Sequence, residues 1–325
     1  MEKIKFLTMA ALATAFFASC SNEDGLPQSN YPADNVVRIT TSVDGMNTRA
    51  SYGGSTAKLS SFGFCINNAG SDKYTYDNIK VTQENGKWNP ATQMLWQNST
   101  TAVDILAYAP YQANGNVKIF GKSDYAFSVK EDQSNAEDYS SDLIVYKQTG
   151  FTPGSELNTS KAVDVAFTHL LSQLNLTIEL RDQFNQDEKK PVTEATVTDV
   201  KVNGTIISSK VDFSASPISV QVDDTQEATA ITPETTEFKA AGKTTDHAAF
   251  NYSAIVIPQT VTAGNFSISF KVDGTDYIWT STRDVNFVSG NKHQLSLLVG
   301  KDVVQVKGIT ATPWGKENIT QGETD

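Results

Sequence analysis

The stretch from Asn265 to Thr282, NFSISFKVDGTDYIWTST, leaves the chain little choice of local structure. Phe266, Ile268, Phe270 and Val272 alternate with polar residues, the period of a strand with one buried face. Asp273-Gly274 marks a two-residue type I′ turn. That turn sets a register in which Phe270 faces Tyr277, Ile268 faces Trp279, and Lys271 faces Asp276 on the other side, where an ion pair is expected. Asn85-Gly86 predicts a second hairpin with Glu84 opposite Lys87, and Asn203-Gly204 a third, between VTDVKV and TIISS.

The same pattern runs through the chain. Short strand-like runs are separated by turn signals, and no long stretch has the 3.6-residue period of an amphipathic helix. An all-β fold of the sandwich type is expected, with little helix. DYSSDLIVYKQTG, residues 138–150, is open between a short helix and an irregular crossing. A mature chain of roughly 300 residues predicts two domains. Gly150, Pro153 and Gly154 interrupt the polar run KQTGFTPGSELNTSKA, which puts the junction between residues 150 and 165. The expected units are an N-terminal β-sandwich over 36–160 and a C-terminal β-sandwich over 161–325. A second polar run, DDTQEATAITPETTEFKAAGKTTDH, is expected as a long loop or a ragged edge strand.

The N-terminus reads as an address. Two lysines in Met1–Lys5 precede an uncharged apolar run from Phe6 to Ala18, the arrangement of an export signal over residues 1–19. As a helix that run spans about 20 Å, short of the roughly 30 Å of a bilayer core. The small residues Ala18 and Ser19 lead into Cys20, which resembles the lipobox of bacterial lipoproteins, where the matching cysteine is acylated. A diacylglycerol with an added acyl chain is a stable tether. Residues 20–35 form an acidic polar linker. Its Glu23 and Asp24 resemble the signal that sends lipoproteins of the Bacteroidota to the outer face of the outer membrane; a plain solvated linker is the alternative. With Cys20 acylated, Cys65 has no disulfide partner, so stability must come from buried core.

The chemistry expected of this chain is not catalytic. A net charge of -11 argues against nucleic acid as a partner. His169, His247 and His293 are scattered without metal-ligand spacing, so neither a metal nor a cofactor is expected. No GxSxG elbow or glycine-rich phosphate loop is present, and Cys65 sits in a strand-like run where a buried, inert thiol is expected. His169 is expected as a packed or hydrogen-bonded core residue. Glu131 to Asp142 lacks the spacing of a calcium loop and reads as solvated loop. Trp279 falls on the buried face of its hairpin; of Trp88, Trp96 and Trp314, at least two are expected in the core.

The order VVRITTSVDGMNTRAS, LSSFGFCI, VDILAYAPYQ, SSDLIVYKQTG, VDVAFTHLLSQLNLTIEL, GNKHQLSLLV and ITATPW, behind a lipobox, resembles the fimbrillin-like family of lipoprotein-derived pilus subunits of Bacteroidota. The resemblance implies two tandem transthyretin-like β-sandwich domains. It also implies a non-enzymatic surface subunit, carried to the outer membrane by its lipid and built into a fimbrium by β-strand addition with other pilin subunits. In such pilins an arginine-preferring protease removes the first strand. Here the matching strand is the alternating Val37, Ile39, Thr41 and Val43, and the matching cut lies between Arg49 and Ala50; Arg38, inside the strand pattern, is a poorer target. An uncleaved anchor or tip subunit would keep the strand. A C-terminal donor strand is implied too, but Pro313 cannot donate to a ladder and only Val303 to Ile309 approaches the alternation a donor needs. Stalk, tip and accessory roles stay open. So does a non-polymerising surface lipoprotein that binds a glycan or a host protein. Replacement of the tether, Cys20→Ala, is expected to move the protein from the outer-membrane fraction to the periplasm or to leave it unprocessed. Membrane fractionation checks this, and wild-type pelleting of the variant would refute the tether.

Overall fold

The computed structural model describes residues 30–43, 58–113, 118–184, 191–242 and 247–314. Among these residues are twenty strands and one short helix, α1 (Pro153–Glu156), so the all-β reading holds. A seven-stranded sheet is built from β1 (Ile39–Val43), β2 (Ser61–Asn67), β3 (Tyr76–Glu84), β4 (Lys87–Pro90), β5 (Val103–Ala109), β7 (Ile144–Phe151) and β8 (Val163–His169), in the order β1-β8-β7-β5-β2-β3-β4. The open segment 138–150 is a turn followed by β7.

Past His169 the chain builds a five-stranded sheet from β9 (Ser172–Leu180), β13 (Glu234–Lys239), β14 (Ala248–Val256), β19 (Asn291–Gly300) and β20 (Val303–Pro313), ordered β13-β14-β9-β19-β20. Two three-stranded sheets accompany it. One pairs β10 (Val197–Asn203), β16 (Ser267–Val272) and β17 (Thr275–Thr280); the other pairs β12 (Ser219–Val222), β11 (Ser208–Asp212) and β6 (Tyr125–Ser128). Strand β6 thus leaves the first half of the chain to pair with the second. The chain crosses between the large sheets at Leu170 and Leu171, because β8 pairs with β1 and stays in the first sheet.

Two apolar cores lie against the seven-stranded sheet, and its central strands serve both. In β5, Ile105, Ala107 and Ala109 join the core of the first half, whereas Leu106 and Tyr108 join the larger core that runs on to Trp314. Strand β2 divides likewise, with Phe62, Phe64 and Ile66 on one side and Cys65 on the other. Double burial explains why VDILAYA is almost continuously apolar.

The Asp273-Gly274 hairpin forms in the expected register, with Ile268 opposite Trp279, Phe270 opposite Tyr277 and Lys271 opposite Asp276. Asp273 and Gly274 both take positive φ, at 50° and 84°, as a type I′ turn requires. The ion pair is different: Lys271 Nζ lies 2.8 Å from Asp199 Oδ2 on β10, where a bulge turns Asp199 toward it. Glu84 and Lys87 face each other across Asn85-Gly86. The Asn203-Gly204 hairpin does not form. Strand β10 pairs with β16, while β11 pairs with β6 and β12, so Gly204 ends one sheet rather than turning back within it. The polar run after Asp223 contains β13, an edge strand with a register shift between Thr235 and Glu237, the ragged-edge alternative.

Gly204 has φ +92°, and a Cβ there would lie 2.0 Å from the Asn265 carbonyl oxygen. Gly204→Ala is therefore expected to lower the stability of the fold by about 1–3 kcal/mol, as overpacking against backbone does. The shift of the urea unfolding midpoint measures it, and an unchanged midpoint would contradict the close approach.

Candidate functional site: the first strand and its seat

The segment VVRITTSV is held in two successive ways. Its leading residues are antiparallel to 94–96: the Val37 N–H donates to the Met94 carbonyl at 3.0 Å, and the Trp96 N–H to the Asn35 carbonyl at 2.8 Å. From Ile39 onward it runs parallel to β8, with five residue pairs from Ile39 opposite Val163 to Val43 opposite Phe167. Alternation sends Val37, Ile39 and Val43 into the first core, where each is buried. Burial of such side chains stabilises by roughly 1.5–3 kcal/mol each. Thr41 shares their face, and its Oγ1 is buried with no hydrogen-bond partner among the described residues.

Strand β8 depends on this neighbour. Its ladder with β7 has two residue pairs, Thr168 with Val145 and His169 with Ile144. Over Val163 to Phe167, β1 is its ladder partner among the described residues. The side chains of Val163, Val165 and Phe167 are fully buried, and Phe167 meets Phe62 edge to face at 5.3 Å between centroids. A five-residue edge strand therefore closes one side of a core strand.

The opposite edge of the sheet comes round to face it. A cleft of about 810 Å³ separates β1 from the β3–β4 hairpin, lined by Arg38, Thr40, Lys87, Trp88, Pro90 and Ala162 among others. Polar contacts hold the outer side of β1. The Asn158 amide donates to Thr40 Oγ1 at 2.9 Å. Arg38 grips Asp34 with two hydrogen bonds of 3.0 and 2.6 Å. That pairing, with the Val36 N–H, pulls the Asp34 carboxyl down to about 2. The Arg38 carbonyl accepts from the Val163 N–H, so this arginine is engaged through both side chain and backbone.

The expected processing residues Arg49 and Ala50, and the lipid-bearing Cys20, lie outside the described residues. Cys65 is buried, and burial first of all pushes its thiol well above the usual range, with the Asp77 carboxylate adding to the shift. His169 Nδ1 lies 2.9 Å from Asp142 Oδ1, and its ring stacks on Trp314. His293 Nε2 accepts from the Val288 N–H, and His247 sits 3.6 Å from Glu179. No group of three or more metal-ligating side chains occurs among the described residues. Trp96 and Trp314 are buried, while Trp88 and Trp279 are half-buried. The acidic stretch is not all solvated loop, because Asp142 is buried beside His169 and Gln133 exchanges two hydrogen bonds with the backbone of Ile255. Strand β20 lies at the edge of its own sheet, paired with β19 at ten positions.

Sequence reading identified the strand but not its partner. Nothing in VDVAFTH names β1 as its neighbour, although its strict alternation announces one buried face.

A family model described as fimbrillin-like matches residues 48–314. The chain belongs to the fimbrillin-like family. Strand β1 precedes the matched region. In fold this fimbrillin-like protein is similar to a candidate cell adhesion protein of Bacteroides ovatus, at 12% identity and a TM-score of 0.60 over 87% of this chain and 99% of that one. A candidate cell adhesion protein of Bacteroides uniformis gives 19% and 0.56 over the same shares. A fimbrial protein of Bacteroides vulgatus gives 16% and 0.52 over 86% and 99%. No curated protein sequence matches this one.

Thr41 tests the description of the seat. Thr41→Val replaces an unpaired buried hydroxyl by a methyl group of similar size, and is expected to stabilise the fold by about 1 kcal/mol. Chemical denaturation reads the gain; a loss of stability would mean that the hydroxyl has a partner.

Proposed function

We propose that this fimbrillin-like protein is a non-enzymatic subunit of a cell-surface fimbrium, brought to the outer membrane by a lipid on Cys20 and opened for assembly by proteolysis after Arg49. The observation that carries the reading is the dependence of β8 on β1. Departure of β1 leaves the backbone of Val163 to Phe167 without its ladder and uncovers the pockets of Val37, Ile39 and Val43. An unpaired strand edge over an apolar groove is a template for a strand from another subunit. The buried Thr41 hydroxyl, without a hydrogen-bond partner among the described residues, supports the same view, since a strand meant to be exchanged has no need of an optimal fit.

One observation bears on position in the fimbrium. Strand β20 pairs with β19 at ten of its eleven positions, and Pro313 lies at its end. A subunit that accepts a strand at β8 while keeping β20, the last strand among the described residues, is suited to a tip or accessory role.

The test is to treat purified, lipid-free protein with an arginine-specific protease. A chain beginning at Ala50, loss of the first strand and growth in particle size by light scattering are expected, with Arg49→Ala blocking all three. A cut chain that loses β1 yet stays monomeric on its own is the behaviour of a tip subunit. A cut chain that keeps β1 overturns the proposal.

A further inference from the structure

We propose that β8 couples the occupancy of the first-strand seat to the hold on the C-terminal strand β20. The inference rests on the reading that β1 is a strand that can leave.

The two ends of β8 touch the first described strand and the residue that follows the last one. Val163 to Phe167 carry the ladder to β1. Two residues further on, His169 stacks flat on Trp314, with ring centroids 3.8 Å apart and planes 5° from parallel. Asp142 orients that histidine at 2.9 Å, and both side chains are wholly buried. Trp314 follows directly on β20, and its N–H donates to the Gly290 carbonyl at 2.7 Å.

Beyond its ladder, few side-chain ties hold β20: Lys307 Nζ donates to Glu179 Oε2 at 2.7 Å, Gln305 accepts from Arg181, and Val304 packs against the core. Of its eleven residues only Val304 and Thr312 are even half-buried, and Val303, Val306 and Ile309 are 45–46% exposed. Its ladder to β19 is broken by a register shift opposite Ser296 and Leu297. Trp314 is the buried side chain that pins its far end. The pin depends on ring packing: among the described residues neither His169 Nε2 nor Trp314 Nε1 has a hydrogen-bond partner, and the polar groups at the rings are Asp142 beside His169 and the Lys292 ammonium 5.8 Å from the Trp314 ring, neither of which ties one ring to the other.

His169 is where β8 would move. Its ladder to β7 consists of the pairs at Thr168 and His169, so once β1 is gone the backbone hold on β8 is concentrated at the residue that carries the clasp. The same joint is tied onward, since the Leu170 N–H donates to the Leu143 carbonyl and Ser289 Oγ donates to the Leu170 carbonyl. Emptying the seat therefore loosens the clasp, and opening the clasp loosens the seat, because coupling between two sites is reciprocal.

Amide hydrogen exchange on the full chain tests this. After cleavage at Arg49 and loss of β1, amides of Val303 to Thr312 are expected to exchange at least about tenfold faster, while those of the β16–β17 hairpin are unchanged. In uncut protein, Trp314→Ala is expected to speed exchange in β1 and in Val163 to Phe167, and Trp314→Phe, which keeps an aromatic face, to preserve it. If β1 leaves and β20 stays fully protected, the coupling is wrong while the strand-exchange reading stands. If β1 does not leave on cutting, that reading fails, and the coupling is then decided by Trp314→Ala: unchanged exchange in β1 and β8 overturns it. Equal loosening of the β16–β17 hairpin would mark a global effect and overturn it as well.

Discussion

The parallel ladder between β1 and β8 is the contact on which the rest of the molecule depends. It is short and lies at the edge of its sheet, yet the strand it covers supplies Val163, Val165 and Phe167 to the first core and ends at His169, under Trp314. An edge strand shares only one side with its sheet, so it can be exchanged without breaking the sheet behind it. This edge strand also fills apolar pockets, so its absence is not neutral.

The centre of the same sheet shows the opposite design. Strands β2, β5 and β7 present side chains to both cores, and their polar groups are paired: Tyr108 Oη, for example, donates to Asn78 Oδ1 at 2.7 Å and is buried against Tyr125 and Phe213. Gly63 exists beside it because a Cβ there would lie 2.3 Å from the Tyr108 ring. Loss of any of these strands would open two cores at once. The edge strand β1 and the central strands thus differ in how many faces and edges they share.

Local features were legible in the sequence. The register of the Asp273-Gly274 hairpin and the facing of Glu84 and Lys87 follow from residues within a few positions of one another, and the burial of Cys65 and His169 is announced by the apolar strand runs around them. Where the same reasoning failed, a distant partner had intervened. Asn203-Gly204 has the composition of a hairpin turn, but β16 claims β10, and Gly204 is needed for its approach to Asn265. Lys271 faces Asp276 yet pairs with Asp199, because a bulge in a third strand brings that carboxylate nearer. Asp142 reads as one more acid in a polar run, and is buried because a histidine of another strand receives it.

By itself the sequence determined that this chain is built of short strands and that one early segment has a buried alternating face. These are properties of turn conformation and of the two-residue period of a strand, and a dozen residues contain them. Only the tertiary structure decided what that early segment rests on. Thr40 and Asp164 are 124 residues apart in the chain and in contact across the ladder. Parallel pairing leaves no connecting turn between the partners that could announce it. The seat of β1, and the clasp of His169 on Trp314 at its far end, therefore exist only when the intervening strands have folded and brought the two edges together.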